Sequence, residues 1–338
     1  MHMKRNRKSW LFSILAAMAV GCIVLNVLAY NHAHAMMYFT MGGSRTDKPE
    51  KLTFGQRIKV LVVGVNVPRP ESKRQPTELA PECRRLAIHT PDGVTLGGWY
   101  VDRGEKTPLV ILFHGYGGEK TGVLQEARIF LKLGASVLLV DFRGAGESSE
   151  SYATIGFREA DDVTAAVGYA RKILYHSSVI LYGQSMGSAA ILRAVSQNGI
   201  RPDAVIIESV FDSMLNTVRH RFEAMGVPSF PSAELLVFWG GVQAGFNAFT
   251  HNPVIYAKAV TCPALFMHGA DDPRAKIEDG RKVFAAVPGI KQFKEFPSIG
   301  HESYAGRYPA EWTATVESFL KRKDGVAVNE AGLRSAFK

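Results

Sequence analysis

Cysteine is scarce in this chain of 338 residues, with only Cys22, Cys83 and Cys262 present. Cys22 lies inside an uncharged apolar run, which leaves Cys83 and Cys262 as the sole candidate pair and excludes a disulfide framework. Cys262, in TCPALFMHG, is expected on a buried strand, where a free thiol acts as a small hydrophobe. Cys22 stands in AVGC, a lipoprotein-like box, but apolar residues continue past it and lipidation is not expected. There is no H-E-x-x-H, no paired C-x-x-C and no G-x-x-x-x-G-K-[ST] loop, so zinc and nucleotide chemistry lack their usual ligands. No cofactor and no metal are expected. Internal repeats and low-complexity tracts are also missing, which excludes solenoids and arrays.

Acidic residues are in deficit: Lys and Arg number 40 against 31 Asp and Glu, a formal net charge of +9. The basic residues cluster only at Lys4-Arg5-Arg7-Lys8 and, more loosely, between Arg69 and Arg85. No run interleaves them with aromatics as a single-strand binding platform does, so nucleic acid is not an expected partner. Attraction to anionic lipid suits the surplus better. From Trp10 to Tyr30 the sequence WLFSILAAMAVGCIVLNVLAY carries no charge at all. About 20 apolar residues match the hydrocarbon core as a helix, whereas a signal peptide needs an apolar stretch of only about 7–15. A retained single-pass anchor is therefore expected. Ala33-His34-Ala35 has the small-x-small form of a cleavage site, and the alternative is a cleaved, secreted protein. The basic cluster ahead of the span favours a cytoplasmic N-terminus and an exported main domain, with Arg45 and Lys48 weakening that bias.

Beyond the span, residues 31–82 are expected to form a juxtamembrane linker. Its apolar stretch IKVLVVGV (58–65) fits either a strand or a short helix lying on the membrane with Arg57 and Lys59 among the headgroups. From Cys83 the pattern becomes regular. RRLAIHT-PDG-VTLGGWYV has the form of a hairpin. PLVILFHGYGG, ASVLLVDFRGAG, SSVILYGQSMG, AVIIES and CPALFMHGADD are continuous apolar runs, as expected of strands buried on both faces. Amphipathic stretches alternate with them: Gly122–Leu133, FREADDVTAAVGYARKIL and SAAILRAVSQ. The alternation predicts an α/β fold with a doubly wound, mostly parallel sheet. The main domain is expected over 83–322, with a tail from 323 to 338. Residues of about 211–259 interrupt it with more apolar surface than a crossover helix needs. They predict an inserted helical cap or, alternatively, one long helix packed on the sheet.

GQSMG places Ser185 between a strand and a helix with glycine two before and two after. That is the G-x-S-x-G elbow, where a sharp turn demands small neighbours and the next helix offers its N-terminal N–H groups to an oxyanion. A serine hydroxyl needs a base, itself oriented by a carboxylate. Asp271 and Asp272 close one strand, and His301 in FPSIGHESY follows one helix and one strand later. Both positions fall at C-terminal strand ends, where an open α/β sheet builds its sites. His114 in LFHGYGG is expected to shape its glycine turn, and His89, His176, His220, His251 and His268 lack an orienting acid at a strand end. Arg143 is expected to brace the loop beside the site. Glu159 and Asp162 are expected to serve the dipole of the helix they begin.

FHGYGG, DFRGAGES, GQSMG, HGADD and GHES, in that order over about residues 85–322, resemble the α/β-hydrolase superfamily. GxSMG with an inserted cap is most similar to the branch of monoacylglycerol lipases and serine-aminopeptidase-like hydrolases. The resemblance implies Ser185 as nucleophile, Asp272 as acid and His301 as base, with the N–H groups of Tyr116 and Met186 as oxyanion hole. Asp271 and, more remotely, Asp212 stay open as the acid. The implied function is a membrane-anchored serine hydrolase cleaving a small-molecule or lipid ester. Alternatives are an aminopeptidase or thioesterase on the same triad, or an idle fold serving as a membrane-tethered binding module. An aminopeptidase needs an acidic pocket for the substrate ammonium, and the cap offers only Glu223 and Glu234. Oligomeric state and acyl length leave no mark in the sequence.

Overall fold

A computed structural model describes residues 3–104 and 106–323. The side chains of the basic cluster at 4–8 and the expected tail beyond Lys323 lie outside the described residues. The chain opens with a long helix, α1 (Met3–Met37), whose segment Ser9–Met37 is long and apolar enough to cross a membrane. Its side chains from Trp10 to Leu25 are largely exposed, while Ala29, Ala33 and Met37 are buried against the body. The stretch expected as either a strand or a short helix is a helix, α2 (Phe54–Val63). Thr53 caps it reciprocally: the Thr53 N–H donates to Gln56 Oε1 at 2.8 Å, and the Gln56 N–H donates to Thr53 Oγ1 at 3.4 Å. Such a box satisfies N-terminal donors that a helix otherwise leaves open, and it specifies helix over strand here.

Eight strands form one sheet: β1 (Arg84–His89), β2 (Thr95–Val101), β3 (Leu109–Phe113), β4 (Ser136–Val140), β5 (Val179–Gln184), β6 (Ala204–Glu208), β7 (Ala264–Gly269) and β8 (Lys291–Phe296). Their order is β1-β2-β4-β3-β5-β6-β7-β8. β1 and β2 form the expected hairpin, with Arg84 opposite Tyr100 and His89 opposite Thr95. β2 also runs antiparallel to β4, and every later pairing is parallel. Side chains alternate along β3: Leu109, Ile111 and Phe113 pack into the cluster on one face, Val110 and Leu112 into the other. That two-sided burial is why these strands are unbroken apolar runs.

One face is covered by α4 (Glu159–Lys172), α5 (Met186–Gln197) and, beyond the insertion, a one-turn α8 (Pro253–Tyr256) and α9 (Ile277–Ala286). The other is covered by α3 (Leu124–Lys132), a one-turn α10 (Tyr304–Arg307) and α11 (Pro309–Lys323). Between β6 and β7 the insertion is not one long helix. It comprises α6 (Met214–Ala224) and α7 (Ser232–Ala244), separated by a turn holding Gly226, Pro228 and Pro231, residues that do not continue a helix. Cys262 departs from expectation: it precedes β7, is half-buried, and is unpaired, as are Cys22 and Cys83.

Residues 38–70 lie along the body. Tyr38 bridges to Tyr152 and Thr40 to Pro68, and the Phe39 N–H donates to the Ser151 carbonyl at 2.8 Å. This places the segment after α1 against the C-terminal edge of the sheet.

Candidate active site

The strand order reverses direction at β3, which has β4 on one side and β5 on the other. A crevice opens outside the C-terminal ends of strands at such a switch point. The two glycine-rich stretches, FHGYGG after β3 and GQSMG after β5, are therefore brought together by topology. Their closeness explains the glycines. A Cβ on Gly187 would stand 2.5 Å from the Phe113 carbonyl oxygen, and one on Gly183 would stand 2.6 Å from the backbone of Gly187. Ser185 itself sits at φ 53°, ψ −109°, a conformation that L-residues rarely adopt and that occurs where the surroundings over-determine it. Its N–H donates to the Glu208 carbonyl at 2.8 Å, tying the turn to β6.

His301 Nε2 is 3.0 Å from Ser185 Oγ, and His301 Nδ1 is 2.6 Å from Asp272 Oδ2. The other oxygen, Asp272 Oδ1, accepts the N–H groups of Arg274 and Ala275, each at 2.9 Å. Burial alone would raise the Asp272 pKa. The adjacent His301 and these hydrogen bonds outweigh it and hold the carboxyl below its ordinary range. A carboxylate at Nδ1 sets the imidazole tautomer, leaving Nε2 bare toward the serine hydroxyl.

Asp271 does not reach His301: its residue is exposed, and its backbone N–H donates to the Ile299 carbonyl at 3.1 Å. Asp212 is engaged elsewhere, accepting from Asn216 Nδ2 at 3.0 Å and from Lys282 Nζ at 2.9 Å. The loop carrying His301 is held from behind by Ser303 Oγ, which donates to Glu126 Oε1 at 2.6 Å.

Met186 opens α5, so its N–H lacks an acceptor one turn back. The Tyr116 N–H donates to no group among the described residues. Met186 directly follows Ser185, and the FHGYGG turn comes close to it from the other side: a Cβ on Gly115, the residue before Tyr116, would lie 3.5 Å from the Ser185 Cβ. His114 shapes the turn as expected. Its Nε2 accepts the Phe142 N–H at 3.1 Å, so its proton is on Nδ1, which donates to the Gly115 carbonyl at 2.8 Å. Burial keeps it neutral by lowering its pKa.

The same overall fold is found in solved esterase structures. The Pyrococcus furiosus esterase Pf2001 superposes with a TM-score of 0.63 at 24% identity, over 76% of this chain and 97% of that one. A family model described as serine aminopeptidase S33 matches residues 104–217. The chain is an α/β-fold hydrolase, similar to esterases and lipases. Among relatives of this hydrolase, protein bem46 of Schizosaccharomyces pombe is 26% identical over 295 residues, 86% of each chain. The lysophosphatidylserine lipase ABHD12 of Macaca fascicularis is 24% identical over 204 residues, 59% of this chain and 50% of that protein.

Two expectations for this hydrolase are refined. Arg143 does brace the loop, donating to Asp162 Oδ1 at 2.6 Å and to Asp92 Oδ2 at 2.9 Å. Glu159 and Asp162 are more than helix-dipole partners. Glu159 accepts from the N–H groups of Thr154 and Gly156 at 2.7 and 2.8 Å, and both acids are buried.

Above Ser185 this hydrolase encloses a cavity of about 560 Å³. Its walls come largely from residues that no motif announces. Leu52, Val60 and Val65 belong to the segment after α1, Val218 and Phe222 to α6, and Leu236 to α7. His32 and Met36 at the end of α1 also line it. The Tyr116 hydroxyl donates to the Met36 carbonyl, and Arg45 Nη1 donates to the Gly117 carbonyl at 2.6 Å. The segment expected as a linker thus holds the FHGYGG turn from outside. The only trace of this in sequence is its apolar patterning, since contact partners across so many residues follow from the fold.

Proposed function

We propose that this chain is a membrane-anchored serine hydrolase that cleaves carboxylic esters of apolar acyl groups. The observation that carries it is the unbroken hydrogen-bonded line Ser185–His301–Asp272 at the floor of an apolar-walled cavity. In this reading His301 Nε2 takes the proton of Ser185 as Oγ attacks the acyl carbon. The N–H groups of Met186 and Tyr116 receive the developing oxyanion, and Asp272 stabilises the imidazolium. The C–O bond then breaks, His301 returns the proton to the departing alcohol, and the acyl group stays on Oγ. Water, deprotonated by the same imidazole, releases the acid and restores the serine.

The domain reading follows the same lines: an anchor over 1–30, a juxtamembrane segment over 31–82, a hydrolase unit over 83–322 and a cap over about 211–259. Lipid-borne esters are favoured by how the insertion meets the apolar helix. Trp239 Nε1 on α7 donates to Asn26 Oδ1 at 3.1 Å, and Gln243 Nε2 donates to the Tyr30 carbonyl at 2.9 Å. Phe238 and Val242 on α7, with Phe54, Ile58, Val62 and Val63 on α2, are exposed beside it. Large apolar side chains in one region mark a membrane-facing surface. A relative's name, lysophosphatidylserine lipase, points the same way. In this reading the N-terminus is cytoplasmic and the hydrolase unit exported, which the basic residues Lys4, Arg5, Arg7 and Lys8 ahead of the span support.

An aminopeptidase reading fits less well. The insertion's acids are occupied, Glu223 by Lys276 at 2.6 Å, Glu234 by Arg219 at 2.6 Å and Asp212 by Lys282 at 2.9 Å, so no carboxylate without a cationic partner awaits an ammonium there. The test uses the full chain in neutral detergent micelles, with fluorophosphonate labelling and turnover of a matched ester, thioester and aminoacyl amide. Labelling that disappears in Ser185→Ala, with the ester turned over fastest, is expected. A protein that resists the probe and hydrolyses no faster than Ser185→Ala is a binding module instead.

A further inference from the structure

The cavity is apolar along one side and cationic along the other. Arg45 comes from the segment after α1, Arg221 from α6 and Arg274 from the turn after Asp272, and all three line it. Each sits against a different part of the catalytic apparatus. Arg45 holds the Gly117 carbonyl at 2.6 Å, and Arg274 Nη2 donates to the His301 carbonyl at 3.0 Å. The Arg221 guanidinium stands 5.7 Å from the centre of the Tyr116 ring.

Glu50 is the carboxylate nearest this cluster, and it balances only part of the charge. Arg274 Nε has Glu50 Oε1 at 3.8 Å, beyond hydrogen-bonding range, and Glu50 Oε2 has no partner. Lys48, also on the wall, faces Glu302 at 3.8 Å, and Asp47 accepts from Gln56 Nε2 at 3.4 Å. Among the described residues, no carboxylate lies within 4.0 Å of Arg45 or Arg221, and the Arg221 guanidinium has no hydrogen-bond acceptor. Burial pulls the Arg221 pKa below its ordinary value; Arg274 and Arg45 add to that pull, and Tyr116 and Glu50 oppose it. Gathering like charges in a partly desolvated cleft is costly unless an anion completes it. The planar fork of a guanidinium suits a phosphate, and two forks from different segments enclose one from two sides.

We infer that Arg221 and Arg45, with Arg274 beside them, form a phosphate-binding subsite for the alcohol half of the substrate. The substrate class is then a monoacyl ester of a phosphorylated alcohol, its acyl chain among Leu52, Val60, Val218, Phe222 and Leu236. The inference rests on the ester-hydrolase reading for its chemistry. Because the three arginines adjoin the Gly117, Tyr116 and His301 loops, the phosphate lies within a few bonds of the scissile oxygen. Arg221 and Arg45 are specificity-determining residues in this account, and the bond-breaking step is unchanged.

The test compares three esters of one acyl chain, on glycerol 3-phosphate, on glycerate and on glycerol, using the full chain in neutral detergent micelles. The wild type is expected to prefer the phosphate ester over the neutral ester by about tenfold or more in kcat/KM, the scale of a charge-assisted contact pair. Arg221→Gln should cut that ratio about tenfold, mostly through KM, and Arg45→Gln by a few-fold, on the same scale. Arg221→Lys should retain part of it. A wild-type ratio at or below one, a ratio that both glutamine variants leave untouched, or a preference for the glycerate ester overturns the phosphate subsite. Calorimetric binding of glycerol 3-phosphate needs no turnover, so it separates this inference from the hydrolase reading. Binding that weakens in Arg221→Gln supports the subsite even if Ser185 proves idle, and the lack of binding to the wild type refutes it.

Discussion

Replacing Asp272 by asparagine keeps the shape of the site and should remove nearly all turnover, for a reason that can be traced atom by atom. Asp272 Oδ1 accepts two backbone N–H groups, from Arg274 and Ala275, both at 2.9 Å. In Asp272→Asn the amide oxygen must take that position, because an NH2 group there would face two donors. The NH2 group then points at His301 Nδ1, which can only accept, and the imidazole proton moves to Nε2. That proton faces Ser185 Oγ, 3.0 Å away, so the ring cannot act as base. Restoring the productive tautomer means leaving two buried donors unsatisfied at about 1–3 kcal/mol each. A penalty of about 4 kcal/mol corresponds to roughly a thousandfold loss in kcat. Asp271→Asn, whose side chain has no part in this line, should stay within about twofold, as surface substitutions usually do. The assay is turnover of a short aryl ester by full chains of matched melting temperature, alongside the rate of fluorophosphonate labelling. If Asp272→Asn keeps more than about a tenth of the activity, or if Asp271→Asn falls equally far, the tautomer argument is wrong.

Gly187→Ala drives a methyl group to 2.5 Å from the Phe113 carbonyl oxygen, a backbone atom of a central strand that cannot yield as a side chain would. Overpacking of this kind costs about 1–3 kcal/mol, so a fall of roughly 5 °C in Tm, together with slowed labelling of Ser185, is expected in thermal scans. Glu208, buried behind the serine elbow, has its pKa raised to about 8 by burial, then by nearby Glu126, against a hydrogen bond from Trp312 Nε1 at 2.5 Å. Between about pH 4.5 and 8 the folded state keeps a proton that the unfolded chain gives up, so stability falls as pH rises across that window. Glu208→Gln mimics the protonated acid, and its Tm advantage over the wild type should grow from pH 5 to pH 8. A constant difference across that range would mean the buried acid does not titrate there.

Local chemistry determined a large part of this protein. Strands such as LVILF and SVLLV are legible because burial on both faces leaves no room for polar residues. GQSMG is legible because the turn tolerates only small neighbours, and the order serine, aspartate, histidine follows from which strand ends meet at one edge of the sheet. The uncharged run Trp10–Tyr30 is readable as a helix long and apolar enough to cross a membrane, since about 20 apolar residues match the hydrocarbon thickness. Choosing between Asp271 and Asp272 needed the tertiary structure, because adjacent residues in a turn point in different directions and only one meets the imidazole. The two-helix form of the insertion was likewise undecided, since its apolar patterning suits one helix or two until the glycine and prolines act. Least legible were the walls above the serine. Arg45, Arg221 and Arg274 are ordinary surface-type residues in sequence, far apart along the chain. Folding alone brings their guanidinium groups around one cavity, and it does so because the segment after α1 lies across the edge of the sheet instead of extending from it.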